Sequence, residues 1–159
     1  MIRQLTPEDF TQFKKLCEAQ HEEAQLPESN IGSWPVYLQK IRQVLISHTD
    51  NVFVLFEDNK MIGYTIGTIS EIPWNDNRFG DIGMFFVHPA HRNKRNADEL
   101  WNAIVDWFQQ NKCRYVMASV FLFKDNCEAD KDHIDRASVY FKSKGMNWCG
   151  NFFVKGIDE

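Results

Sequence analysis

The residues best placed to do chemistry are concentrated between Phe86 and Ala97. Arg92, Lys94 and Arg95 put three positive charges into four residues of a chain whose net charge is −4. They lie between an apolar run that ends at Val87 and a strongly amphipathic stretch that begins near Ala97. A strand that turns into a helix at such a point leaves backbone N–H groups unpaired at the positive end of the helix dipole, which is the arrangement a diphosphate needs. The same run also reads as a solvated basic turn, since such charge clusters are common on surfaces.

The elements that must position this loop follow from hydrophobic period. Ala97, Leu100, Trp101, Ile104, Val105 and Phe108 recur at helical spacing, the strongest such signal in the chain. Before the loop, Asp81 to Val87 reads as a strand. Val52 to Phe56 and Met61 to Ile72 read as a hairpin joined through Glu57-Asp58-Asn59-Lys60, and Trp74 to Asn77 as the following turn. Ile2 to Leu5 is a short strand. Thr6-Pro7-Glu8-Asp9 starts a helix that runs to about Ala24, and Trp34 to Ser47 forms a second. Tyr115 to Phe121 is a buried strand, Lys124 to Asp132 a charged loop, and Ile134 to Lys144 a helix stopped by Gly145. A final strand pair spans about Asn147 to Gly156. The order β-α-α-β-β-β-α-β-α-β predicts an α/β (α+β) fold in which helices cover both faces of a mixed, mostly antiparallel twisted sheet.

At 159 residues, the chain from 1 to 159 is expected to form one domain with a core rich in Phe and Trp. Hydrophobic residues make up 43% and charged residues 25%, which argues against disorder. The acidic balance, with a pI near 5.7, excludes a broad nucleic-acid surface. Cys17, Cys113, Cys127 and Cys149 lack zinc-binding spacing, so no metal is expected, and reduced thiols suit a cytoplasmic location. The amino terminus lacks the pattern of a secretion signal and no run reaches membrane-spanning length, so a soluble protein is expected. His88, His91, His133 and Cys127 have no spacing suggesting a metal site or nucleophile and read as structural.

The basic loop resembles the acetyl-coenzyme A motif of the GNAT superfamily of N-acetyltransferases, V-x-P-x-x-R-G-x-G-x-G/A. Val87, Pro89, Arg92 and Ala97 match it, while Asn93 and Arg95 replace its two inner glycines. Asparagine tolerates positive φ and could keep the turn. An arginine at the second position must point away from the cofactor or lie along it. Ala137 to Met146 is similar to the family's A-x-x-x-Y-x-x-x-G-F segment, and the element order agrees.

The resemblance implies transfer of an acetyl group from acetyl-coenzyme A, a cosubstrate, to a primary amine in a ternary complex. It implies that the backbone N–H groups of Phe86 and Val87 meet the cosubstrate, and that Arg92, Asn93, Lys94, Arg95, Asn96 and Ala97 cradle its pyrophosphate. Asp81, six residues before Val87, stands where several family members carry a water-relayed general base, but it also reads as an ordinary strand-start carboxylate. Counting back from Gly145, Phe141 holds the position of the family's acidic tyrosine, and Tyr140 is one residue early, about 100° around the helix. Three outcomes follow: the thiolate leaves with a proton from water, Tyr140 is recruited, or no acid acts. Asn93, Arg95 and Phe141 also motivate a second reading, an acyl-coenzyme A-binding or protein-interaction module that has lost turnover. His21, Glu22, Glu23 and Glu28, with Trp34 and Trp74, could form a mouth for a cationic amine, but acids at a helix end and tryptophans in a core are the stronger reading. The carboxyl-terminal strands could pair two chains as a homodimer.

Overall fold

The computed structural model describes residues 1–24, 34–71, 77–118 and 131–147. Strand β1 (Ile2–Gln4) is followed by a 3-10 turn at Pro7–Asp9, then helices α1 (Phe10–Ala24) and α2 (Trp34–Ile46). Strands β2 (Asp50–Glu57), β3 (Lys60–Glu71) and β4 (Arg78–Val87) come next, then α3 (Lys94–Gln110), β5 (Cys113–Ala118) and α4 (Lys131–Ser143). These elements reproduce the order expected from the sequence as far as α4. The expected final strand pair, the turn at residues 74–76 and the loop at 124–130 lie outside the described residues.

The β2–β3 hairpin closes through Asp58 and Asn59, whose φ values of 49° and 62° are those of a two-residue turn matched to strand twist. Asp and Asn tolerate that region because their short polar side chains bond locally. The sheet order is β1-β2-β3-β4-β5, with the first three pairs antiparallel and β4–β5 parallel. A parallel pair needs a long crossover, and α3 supplies it.

Helices cover both faces. On one, α1 and α2 bury Phe13, Leu16, Cys17 and Ile41 against Val52, Val54, Tyr64 and Phe86. On the other, α3 sets Leu100 against Leu55, Ile62 and Val87, and Ile104 and Phe108 against Ile69 and Ile82. Leu100, Ile104 and Phe108 are the centre of the helical stripe read from the sequence, and each buried side chain contributes roughly 1.5–3 kcal/mol. Gly80 lets α3 come close, since a Cβ there would stand 2.3 Å from the Phe108 ring. Among the described residues four phenylalanines, Phe13, Phe56, Phe86 and Phe108, are buried, whereas Trp101 and Trp107 are only partly covered.

One irregularity in β4 sets the geometry downstream. Ile66 pairs with Met84 and Gly67 with Ile82, so Gly83 is an extra residue in the ladder. A one-residue insertion reverses the faces. Gly80 and Ile82 face α3, but beyond the bulge Met84 and Phe86 face α1 and α2, and Phe85 and Val87 face α3. Thr65, fully buried, donates its hydroxyl to the Met84 carbonyl at 3.0 Å and so satisfies an acceptor beside the bulge.

Candidate active site

Val87 ends β4, and Pro89–His91 forms a 3-10 turn in which proline occupies a first position that needs no donor. The His91 N–H donates to the His88 carbonyl at 2.8 Å, and the Arg92 N–H to the Pro89 carbonyl at 3.3 Å. Asn93 then caps α3. Its backbone is extended, with φ −151° and ψ 165°, and its Oδ1 accepts the Asn96 N–H at 2.8 Å. The left-handed turn expected of Asn93 is therefore not formed, because the residue before a helix adopts extended backbone and the amide serves as a cap. Asn96, also expected at the cosubstrate, is buried and donates its side-chain amide to the His91 carbonyl at 2.8 Å, holding the loop to the helix.

The backbone N–H groups of Asn93, Lys94 and Arg95 find no acceptor among the described residues. With the dipole of a 17-residue helix behind them, they are donors of the kind that suit an anion. The three cations behave differently from one another. Arg95 lies along the exposed face of α3 and pairs with Glu99 at 3.0 Å. Arg92 donates Nε to the Val87 carbonyl at 2.9 Å and its two Nη groups to the two oxygens of Glu23, the first at 2.6 Å. Lys94 makes no ion pair among the described residues, and its charge acts at longer range on Asp98. Ala97, half-buried, donates its N–H to the Asn93 carbonyl at 3.2 Å and begins the helical ladder.

Beyond Ile82, the N–H groups on the β5 side of β4 have no partner among the described residues. The His88 N–H turns back to the Ile62 carbonyl on β3 at 2.8 Å. By alternation the Phe86 N–H points the same way, and those of Phe85 and Val87 point toward the β5 side. The β4–β5 pairs described run from Arg78↔Cys113 to Ile82↔Ala118, and β4 continues to Val87. Of the two residues expected to meet the cosubstrate, Val87 thus turns its N–H to the β5 side, as Phe85 does, while Phe86 turns its own to β3. Phe86 buries its ring among α1 and α2.

Asp81 is the fourth residue of β4, not its first, and alternation with Gly80 and Ile82 places it on the α1–α2 face. It is half-buried, pairs across the sheet with Thr68, and has a carboxyl pKa raised by that burial. Thr68 donates its hydroxyl to Asp50 at 2.6 Å. Burial pushes the Asp50 carboxyl up, but hydrogen bonds from Ser47, Thr68 and Thr49 outweigh it and hold the group below its ordinary value. Of these two carboxyls, then, burial makes Asp81 the one that holds its proton to higher pH.

From α4, Tyr140 and Phe141 both reach the Phe85 ring, with centroids at 5.8 and 6.1 Å, so the angular offset between them does not separate them at the site. The Tyr140 hydroxyl donates to Asp98 Oδ1 at 3.2 Å, and burial is the first cause of its raised pKa. Gly145, at φ +81°, ends the helix as expected, with the Met146 N–H returning to the Phe141 carbonyl.

On the acceptor side, Glu22 is exposed and Glu23 is taken by Arg92, while Glu28, Trp74 and the Trp34 side chain lie outside the described residues. His21 Nδ1 is buried without a partner among the described residues. Sequence reasoning missed Gln20, which accepts the Tyr64 hydroxyl and donates to Met84 Sδ at 4.0 Å, joining α1 to β3 and β4. His88 accepts the Ala90 N–H, and His91 pairs with Glu57 at 2.7 Å, both structural roles as expected. Among the described residues no cluster could hold a metal.

The chain thus combines a bulged strand, a helix start whose first N–H groups find no acceptor among the described residues, and a strand that runs beyond its described pairs with β5. The profile of the acetyltransferase (GNAT) domain matches residues 2–155, and the chain belongs to that family. No curated protein matches the sequence. Among solved structures, an aminoglycoside acetyltransferase from an uncultured soil metagenomic sample superposes with a TM-score of 0.76 at 16% identity, covering 99% of this chain and 96% of that one. An aminoglycoside 6'-N-acetyltransferase from Acinetobacter haemolyticus gives 0.70 at 18%, covering 99% of each chain. A ribosomal-protein-alanine N-acetyltransferase from Brucella melitensis gives 0.66 at 16%, covering 98% and 99%. These likenesses establish the shared fold.

Proposed function

We propose that the protein transfers an acetyl group from acetyl-coenzyme A directly to a primary amine held in the same complex. The observation that carries this reading is the trio of N–H groups on Asn93, Lys94 and Arg95 at the start of α3, which find no acceptor among the described residues. Those groups fit a diphosphate, and the Phe85 and Val87 N–H groups fit the amide-bearing arm of the cosubstrate. When bound, acetyl-coenzyme A supplies an activated thioester whose acetyl group becomes an amide on the acceptor nitrogen, releasing the thiol.

The chain's own part is to orient the two reactants and to move protons. Asp81 accepts the ammonium proton of the acceptor, and its raised pKa makes it a better base than an exposed aspartate. The proton reaches it through water, the route that the family resemblance implies for a carboxylate at this point of the strand. The leaving thiolate takes its proton from water, since the Tyr140 hydroxyl is engaged by Asp98 and its pKa is raised. A cationic amine, such as an aminoglycoside or a protein amino terminus, suits the half-buried Asp81 carboxylate.

Titration calorimetry with acetyl-coenzyme A tests the first step, and absence of both heat and thermal stabilisation would sink this reading. Thiol release measured across polyamines, aminoglycosides and peptide amino termini tests the second. Binding without release from any of them would make the protein an acyl-coenzyme A-binding module.

A further inference from the structure

The Arg92 guanidinium is a three-way joint. Nε holds the end of β4 through the Val87 carbonyl, both Nη groups hold Glu23 at the end of α1, and Cζ stands 5.7 Å from the centre of the Phe86 ring. A planar fork with donors on two edges can make these bonds together, and a lysine cannot. Glu23 belongs to α1, which packs on one face of the sheet, while α3 packs on the other. The pair therefore ties the two helical layers together around the end of β4, directly before the N–H groups that face an anion. With its fork occupied by a carboxylate, Arg92 can reach a phosphate only by giving up Glu23.

We propose that Glu23 is a positioning residue. Through Arg92 it fixes the loop after β4, so that the Asn93, Lys94 and Arg95 amides are set before the cosubstrate arrives, and Arg92 is a strut and not a phosphate ligand. This rests on the acetyl-coenzyme A reading above. His91 on Glu57 and Asn96 on the His91 carbonyl brace the same loop from other sides. Of these ties, the Glu23 pair is the one that reaches α1.

The experiment is a double-mutant cycle on the full chain, with coenzyme A titrated calorimetrically and acetyl transfer followed by thiol release. Glu23→Ala and Arg92→Ala are each expected to weaken coenzyme A binding about tenfold, and the double variant no further, because the two side chains act as one unit. The KM for acetyl-coenzyme A should rise by a similar factor, with kcat within about twofold of the parent, since neither group touches a reacting atom. Glu23→Gln, which keeps the shape and one acceptor, should lose less and guards against misfolding of the alanine variant. If Glu23→Ala leaves binding unchanged or tighter while Arg92→Ala weakens it, Arg92 is a phosphate ligand and the proposal fails. Additive losses overturn it as well. A parent protein that binds no coenzyme A overturns the functional reading itself, a result distinct from a parent that binds and a Glu23 variant that binds equally well.

Discussion

The hydroxyl of Tyr140 points at Asp98 on α3, donating to its Oδ1 at 3.2 Å, while Lys144 Nζ holds the same oxygen at 2.6 Å. The hydrogen bond from Lys144 is the first cause of the lowered Asp98 pKa, so the carboxylate stays ionised and keeps the phenol as its donor. The ring itself is packed by Phe85, Trp101 and Phe141. In Tyr140→Phe these ring contacts persist and Asp98 keeps Lys144. The expected outcome is a loss of about 0.5–1.5 kcal/mol in stability and an acetyl-transfer rate within about threefold of the parent. A fall in kcat on the order of a hundredfold would instead identify Tyr140 as the general acid.

Asn93 occupies a position where the family motif has glycine, yet its extended backbone and its bond to the Asn96 N–H show a cap at work. Asn93→Gly should therefore cost only a few tenths of a kcal/mol, because glycine is itself an acceptable cap, whereas Asn93→Ala should cost about 1 kcal/mol. Thermal unfolding of the two variants checks the order. Coenzyme A affinity should follow it, with Asn93→Gly equal to the parent or better, since the glycine also clears space beside the amides.

The pattern of helices and strands was legible because buried stripes repeat at a fixed period, as Leu100, Ile104 and Phe108 do. The loop was legible because its charge and its place before an amphipathic stretch are local properties. Three features were not. The Gly83 bulge is set by pairing with Ile66 and Gly67, and nothing in the order Ile82-Gly83-Met84 fixes it or the faces that Phe85 and Phe86 take beyond it. Glu23 and Arg92 are 69 residues apart, and Asp98 and Tyr140 are 42 apart, so these partners depend on tertiary packing. A cation lacking an acid three or four residues away, as Arg92 does, was the one signal that a distant partner had to be sought.

Arg3 and Asp9 form a bidentate pair at 2.6 and 2.7 Å that joins β1 to the start of α1, and Asp9 also accepts the Thr6 N–H. The Arg3 hydrogen bond is the first cause of the lowered Asp9 pKa. A depressed folded-state pKa contributes stability that is complete above the usual carboxylate value and is lost as pH falls through the folded value. Asp9→Asn should cost about 1–3 kcal/mol at neutral pH and flatten the acid limb of the stability profile. Chemical denaturation from pH 7 downward measures both, and parallel profiles for parent and variant would remove Asp9 from the acid response.

Asp81 presents the opposite sign. Burial raises its pKa, so between the usual carboxylate value and the raised one the folded state holds more protons than the unfolded chain. Stability contributed at Asp81 therefore falls as pH rises through that window, and above it the buried charge is a standing cost. Activity runs the other way, since a base must be deprotonated, and the rate should rise through the same window and level off. Asp81→Asn removes both effects. It is expected to raise the melting temperature at neutral pH, with no gain in acid below the window, and to lower kcat while erasing the acidic limb of the pH–rate profile. A variant that is more stable but keeps the parent's rate and profile would show that Asp81 carries the burial cost without serving as the base, and would move the search for the base to groups other than Asp81 on the α1–α2 face.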